Sequence, residues 1–297
     1  MPRLNFSGSI CALATPFGAD DALDLAAWRQ LLRHQIAGGT QGLVVAGSTG
    51  EAHALDEAEI AELLRIAVDA AEQRIPVIAG TGGANTHKTI AATRRAQAAG
   101  ANAALVVTPY YVRPTQAGLL QHYRAVADEG GLPIILYNVP SRTGCDLLPE
   151  TVAQLAEHPN IVGIKEARPE MERVSALLAL QSNRFSVLSG DDGSFVASML
   201  AGARGVISVV NNLVPRTVRR LSDAATAGNT AVCERLQARL APLLDALGVE
   251  SNPIPLKWCL AALGIGTSRL RLPLTELSES ARDPLRALVL SLQDEEC

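Results

Sequence analysis

Aromatic residues are scarce in this 297-residue chain. Four Tyr, four Phe and two Trp make up 3% of it, so a hydrophobic content of 48% rests on aliphatic side chains. A core of Ala, Leu, Val and Ile suits helices packed closely on strands. No apolar run approaches the roughly 18 residues of a membrane span. The apolar stretch that follows Arg3, Ile10 to Ala14, stops at Pro16 and does not read as a secretory signal. No basic stripe appears, and the net charge is −4, which argues against nucleic acid as a partner. The five cysteines, Cys11, Cys145, Cys233, Cys259 and Cys297, form no CxxC pair and are odd in number. A reduced, cytoplasmic compartment is the simplest reading. The five histidines are equally scattered, with no HExxH motif, so a metal site has little support. The apolar content, with 19% charged residues, argues against a disordered chain. The length fits one large α/β barrel or two ordinary domains.

What is present is a regular alternation. Eight short, nearly unbroken apolar runs recur: Ser9–Ala14, Gly42–Ala46, Pro76–Ala79, Ala103–Val107, Pro133–Tyr137, Ile161–Lys165, Phe185–Ser189 and Gly205–Val209. Unbroken rather than alternating apolarity reads as a strand buried on both faces. Helical periodicity fills the intervals, in Leu23–Ala37, Asp56–Ala71, Thr86–Ala99, Gln116–Glu129, Leu148–Glu157, Glu170–Leu180, Gly193–Ala201 and Pro215–Ala227. Asp56 with Glu59 three residues on is a capping-box pattern, and Gly38-Gly39 and Gly100 stand where left-handed helix caps belong. Units averaging about 28 residues are βα units. Eight of them predict a (β/α)8 TIM barrel over residues 1–228. Thr230–Leu247, Pro255–Leu263 and Ser280–Gln293 read as helices of a C-terminal extension, residues 229–297. An independent C-terminal domain is the alternative, but so short a stretch with several prolines makes a thin core.

In such a barrel the chemistry sits where strands end. Lys165 ends the apolar run Ile161-Val162-Gly163-Ile164. Lysine is rarely buried without a partner or a purpose, and burial favours the neutral, nucleophilic amine. A loop lysine paired with Glu166 is the other reading. Tyr137, one strand away, reads either as a core tyrosine or as a proton relay. Ser48 and Thr49 lie in a Gly-flanked turn after the second strand, suited to a carboxylate or simply an ordinary turn. Arg142, behind Pro140, could clamp a carboxylate or sit on the surface. Gly80-Thr81-Gly82-Gly83 lacks the spacing of a phosphate-binding loop.

Taken together these residues carry a resemblance. The chain closely resembles the 4-hydroxy-tetrahydrodipicolinate synthase (dihydrodipicolinate synthase) family, which is class I aldolase-like, essentially end to end. The motifs are Gly47-Ser48-Thr49-Gly50-Glu51, Thr108-Pro109-Tyr110-Tyr111, Leu136 to Gly144, Gly163-Ile164-Lys165-Glu166-Ala167, Ser189-Gly190-Asp191-Asp192 and Asn252 to Lys257. The resemblance implies that Lys165 forms an imine with pyruvate, whose enamine attacks L-aspartate-4-semialdehyde, in lysine and diaminopimelate biosynthesis. It implies a proton relay of Tyr137, Ser48 and Tyr111, the last reaching into a neighbouring subunit's site. Thr49 and Ser48 would hold the pyruvate carboxylate, and Arg142 that of the aldehyde. Gly190 and Ile207 would line the pocket through their backbone. No metal or organic cofactor is implied, since the imine is itself the electron sink. A homotetramer, a dimer of dimers, is the implied assembly.

Two positions depart from the family pattern. Ser48 stands where Thr is usual, keeping the hydroxyl but losing the methyl that restricts its rotamer. At the family's lysine-feedback site an ungapped alignment places Glu57, Ala84 and Lys88, with Tyr110 retained, and this set predicts weak or absent lysine inhibition. The rival readings are a related Schiff-base aldolase (N-acetylneuraminate lyase or a 2-keto-3-deoxy sugar-acid aldolase) and a non-catalytic pyruvate-binding barrel. Ser48 leans toward the first. Arg142 leans against it, because a guanidinium suits a small carboxylated aldehyde better than a polyol.

Overall fold

The computed structural model describes residues 6–293, so Arg3 and Cys297 lie outside the described residues. Eight parallel strands close into a barrel in sequence order: β1 (Gly8–Ala12), β2 (Gly42–Val45), β3 (Val77–Gly80), β4 (Ala103–Val107), β5 (Ile134–Asn138), β6 (Ile161–Glu166), β7 (Ser186–Ser189) and β8 (Gly205–Ser208). β8 closes on β1, with Ile207 opposite Ile10. Each run of apolar residues became a strand because it is covered on both sides. Alternate residues, Ile10, Val44, Ile78, Leu105, Ile135, Leu188 and Ile207, form one cluster in the barrel interior. Their neighbours, such as Cys11, Leu43, Ala79, Ala104 and Leu136, join the larger cluster beneath the helices.

The helices are α1 (Leu25–Ala37), α2 (Glu57–Ala71), α3 (Thr86–Ala98), α4 (Gln116–Glu129), α5 (Pro140–Thr143), α6 (Pro149–Ala156), α7 (Met171–Leu178), α8 (Phe195–Leu200), α9 (Pro215–Thr226), α10 (Thr230–Leu247), α11 (Ile254–Ala262) and α12 (Glu279–Ser291). Every strand and helix expected from the sequence is present, with ends within two residues of the expected ones. The Asp56–Glu59 capping box forms in both directions. Gly39 and Gly100 are left-handed, at φ +79° and +90°, but Gly38 is not: at φ −75° it stays right-handed as the C-cap, and the reversal falls one residue later. Periodicity did not reveal α5, because four residues make a single turn. It is set by Pro140 at its first position and by Gly144 in the left-handed region at its end.

The extension packs back on the barrel: α10 lies on α9, and α12 on α10 and α11. Its ionic ties to the rim are specific. Lys257 of α11 meets Glu51 at 2.6 Å with both side chains buried. Arg271 is held by Glu59, the Ala54 carbonyl and the Asp21 carbonyl. Phe17 lies between these two cations, 4.2 Å from Lys257 Nζ and 4.3 Å from the Arg271 guanidinium carbon.

His122 of α4 is buried, with Nδ1 3.0 Å from Thr86 Oγ1 and Nε2 without a partner. Burial lowers its pKa from 6.5 to about 4. The folded state therefore resists a protonation that the unfolded chain accepts. The stability gained from keeping this group neutral is whole above pH 6.5 and is lost as pH falls toward 4, a change of about 3 kcal/mol. Urea unfolding of wild type and His122→Leu, at pH 7 and pH 4 and one protein concentration, should show wild type losing about that much more on acidification. Equal losses would refute the assignment.

Candidate active site

Six strands, β1 to β6, deliver residues to one cavity of about 790 Å3 at the C-terminal end of the barrel. Lys165 projects into it from β6 and is 5% exposed. Its register partner on β5 is Tyr137, and its Nζ lies 4.2 Å from the centre of that ring. The alternative pairing with Glu166 does not form. Successive strand residues point to opposite faces, so Glu166 turns outward, where its carboxylate meets Arg173 at 2.7 Å and accepts from Asn138. Burial raises the Glu166 carboxyl above its usual range, against the pull of Arg173. Among the described residues no ion pair holds Lys165, so its amine faces the cavity beside an aromatic ring.

The lysine stem runs against Gly190. A Cβ at that position would lie 2.9 Å from both Cγ and Cε of Lys165, which leaves room for nothing but hydrogen. The Gly190 N–H donates to the Glu166 carbonyl at 2.6 Å and pins the loop to the strand end that carries the lysine.

Ser48 and Thr49 line the opposite wall in the turn after β2. The turn is closed by Gly50 and Ala52 N–H groups donating to the Gly47 carbonyl, and by Thr15 Oγ1 donating to the Gly50 carbonyl at 2.7 Å. Glu51 ends it in the left-handed region, φ +52°, a conformation that costs a non-glycine residue about 1–3 kcal/mol and persists where its surroundings enforce it. The Lys257 ion pair is that enforcement. The N–H groups of Ser48 and Thr49 have no acceptor among the described residues, an arrangement that suits an anion.

Arg142, on α5, reaches the cavity edge, and its Nη2 donates to the Asn252 carbonyl at 3.1 Å. The side chains of Tyr111 and Ile207 do not line this cavity. Tyr111 does not reach the cavity of its own chain. It is 91% exposed at φ +71° and lines an outer groove with Tyr110, Arg113 and Arg142. Among the described residues no hydrogen bond joins it to Ser48 or Tyr137. The Ile207 side chain is fully buried in the barrel interior, and Val209, just past the end of β8, lines the cavity wall.

Three features went unassigned from the sequence. Asn252 donates from Nδ2 to Thr49 Oγ1 at 3.0 Å. Lys257 is held below its ordinary range, at about 8, by burial that outweighs the attraction of Glu51. Asp192 accepts from the Val209 and Val210 N–H groups at 2.9 and 2.8 Å, and burial raises its carboxyl. Each lay inside a quoted motif, but the contacts run between segments far apart in sequence, so local pattern carried no signal for them. Among the described residues no three His, Cys, Asp or Glu side chains converge as a metal site requires.

The profile of the dihydrodipicolinate synthetase family matches residues 5–292. A 4-hydroxy-tetrahydrodipicolinate synthase from Xanthomonas axonopodis pv. citri is 60% identical over 293 residues, covering 98% of this chain and 97% of that protein. The pyruvate complex of the chloride-inhibited dihydrodipicolinate synthase of Acinetobacter baumannii superposes with a TM-score of 0.95 at 42% identity, over 97% of this chain and 99% of that one. A structure described as the first monomeric dihydrodipicolinate synthase variant superposes at 0.94, with 40% identity, over 97% of each chain.

Gly190→Ala should disable the lysine while leaving the fold intact, since the added methyl meets the Lys165 stem most tightly, at 2.9 Å, and the Glu166 carbonyl only at 3.2 Å. Reductive trapping of a small 2-oxo acid on Lys165, followed by mass spectrometry, should slow at least about tenfold, equivalent to 1.4 kcal/mol. A rate within twofold of wild type would show that the stem has room.

Proposed function

The chain belongs to the dihydrodipicolinate synthetase family, and we propose that Lys165 is the amine that carries its chemistry. The activity is that of a 4-hydroxy-tetrahydrodipicolinate synthase, a lyase of lysine and diaminopimelate biosynthesis that condenses pyruvate with L-aspartate-4-semialdehyde. The observation that carries the assignment is the Lys165 amine, unpaired and facing Tyr137 inside a cavity whose rim holds Ser48, Thr49 and Arg142.

Neutral Lys165 Nζ attacks the keto carbon of pyruvate, and loss of water leaves the imine. Loss of a methyl proton gives an enamine, whose terminal carbon bonds to the aldehyde carbon, the aldehyde oxygen becoming a hydroxyl. The amine of the aldehyde substrate then attacks the imine carbon and expels Lys165 as the ring closes. One water is lost overall, and the enzyme returns as a free amine. Tyr137, against the nucleophile, moves the protons, with the Ser48 hydroxyl as the next station. Tyr111 completes the relay from a partner subunit, which fits its exposed position on this chain. The free N–H groups and hydroxyls of Ser48 and Thr49 receive the pyruvate carboxylate, and the Arg142 fork receives that of the aldehyde. The assembly this requires is at least a dimer, and we assign a homotetramer built as a dimer of dimers. A cytoplasmic location fits the four described cysteines, all buried and free. Among the described residues no helix is long and apolar enough to cross a membrane.

At the lysine-feedback position Glu57 is engaged by Arg95 at 2.7 Å, and Lys88 adds a second cation nearby in sequence on the same helix as Arg95. An incoming lysine ammonium meets little free negative charge there.

The test is a coupled assay with pyruvate and L-aspartate-4-semialdehyde, read by the reductase that consumes the product. The chain has only three lysines, Lys88, Lys165 and Lys257, so a borohydride-trapped pyruvate adduct is readily mapped. The adduct should sit on Lys165 and abolish activity. An adduct elsewhere, or turnover of N-acetylneuraminate but not of the semialdehyde, would overturn the reading. In the same assay Ser48→Thr should stay within about tenfold of wild type. Half-inhibition should need lysine above about 1 mM, an affinity weaker than about −4 kcal/mol.

A further inference from the structure

Among the described residues Asn252 is the one bonded to both proposed carboxylate-binding groups, and it comes from the extension rather than the barrel. Its side-chain Nδ2 donates to Thr49 Oγ1 at 3.0 Å, and its main-chain carbonyl accepts from Arg142 Nη2 at 3.1 Å. It lines the cavity between them. The second observation is Asn252 Oδ1, which is buried and without a partner. The amide therefore spends its donor end on Thr49 and leaves its acceptor end unsatisfied, although a buried unpaired acceptor is unfavourable.

A threonine hydroxyl has one proton to give and two lone pairs. With Asn252 Nδ2 occupying a lone pair of Oγ1, the Thr49 proton cannot point at Asn252 and is left for another acceptor. We propose that Asn252 is a positioning residue that fixes the polarity of the Thr49 hydroxyl, making it a donor aimed at the carboxylate of pyruvate. This rests on the assignment of Thr49 to that carboxylate. The same residue, through its carbonyl, ties Arg142 to the Thr49 wall, so the two carboxylates of the joined substrates are held at one spacing. The side-chain arm acts on pyruvate and the main-chain arm on the aldehyde, so side-chain substitutions separate them.

Asn252→Asp keeps the shape but inverts the bond. A carboxylate has no proton, so the Thr49 hydroxyl must donate to it and is lost to pyruvate. Asn252→Ala frees the hydroxyl to rotate. The readout is the pyruvate concentration giving half-maximal borohydride trapping on Lys165, which needs neither the aldehyde nor turnover. It should rise about tenfold in Asn252→Ala and further in Asn252→Asp, with the unfolding midpoint of the near-isosteric Asp variant close to wild type. The KM of Asn252→Ala for the aldehyde should stay within about twofold, because the carbonyl bond to Arg142 survives. In a Thr49→Val background the effect of Asn252→Ala should fall to within about twofold, since the hydroxyl it orients is gone. An unshifted half-trapping concentration in Asn252→Asp, or a shift that persists in the Thr49→Val background, overturns the proposal while leaving Lys165 chemistry intact. Absence of any adduct on wild type overturns the parent assignment and this inference with it.

Discussion

A strand side chain has two directions, and in a closed barrel one of them is the interior. Everything at this site depends on Lys165 taking the inward direction and Glu166 the outward one. The assignment hangs on one irregularity. Ile134 pairs with Ile161, but Ile135 pairs with Gly163, so Val162 is an extra residue on β6. Without that bulge, Tyr137 would stand opposite Ile164, and the lysine would be one register step from its ring. A one-residue slip moves every later side chain to the other face. It would bury the Lys165 ammonium among helices and turn Glu166 into the cavity. The outward network of Glu166, Arg173, Asp146 and Asn138 opposes that slip, because each charge has its partner only in the observed register.

The opposite wall is governed from outside the barrel. The Ser48–Thr49 turn needs Glu51 in a left-handed conformation, and Glu51 is fully buried against Lys257 of the extension. A buried ion pair gains little net stability over apolar packing, but losing one partner leaves an isolated charge. The depressed pKa of Lys257 shows that burial outweighs its pairing. Here the pair acts chiefly as a geometric lock, since the turn and α11 can meet in few other ways. Arg271, bound to Glu59 and two carbonyls, fixes the next stretch of the same rim. The extension supplies no strand, yet it sets the shape of the site.

This division explains what was legible in the sequence. Unbroken apolar runs such as Ala103–Val107 identify strands because burial on both faces is a local demand, and Lys165 stood out because it violates that demand. Gly190 was named as a lining residue, but its close contact with the lysine stem depends on the packing of β6 against β7. Ile207 was named for its backbone, and its side chain fills the barrel interior. The Asn252–Thr49 and Lys257–Glu51 contacts join residues 203 and 206 positions apart, and nothing local records such a meeting. The short helix that carries Arg142 was hidden for another reason: one turn held by Pro140 and Gly144 has no period to detect.

The scarcity of aromatic residues gains a physical meaning at the rim. Tyr123 is fully buried and satisfies its hydroxyl with the Val106 carbonyl, so it serves the core. The other three tyrosines gather at the C-terminal end of the barrel. Tyr137 faces the Lys165 amine, Tyr110 spans the cavity and the outer groove, and Tyr111 stands almost wholly in solvent. Tyr110, Tyr111 and Val112 are consecutive and exposed, a patch that favours burial in an interface. Tyr111 also takes a left-handed backbone, unusual for a bulky residue, which turns its ring away from its own chain. A phenol that its own cavity needed would not be held outward at that cost. A surface that covered this patch would also take up the Tyr111 hydroxyl, so the exposed ring and the unusual backbone serve the same contact.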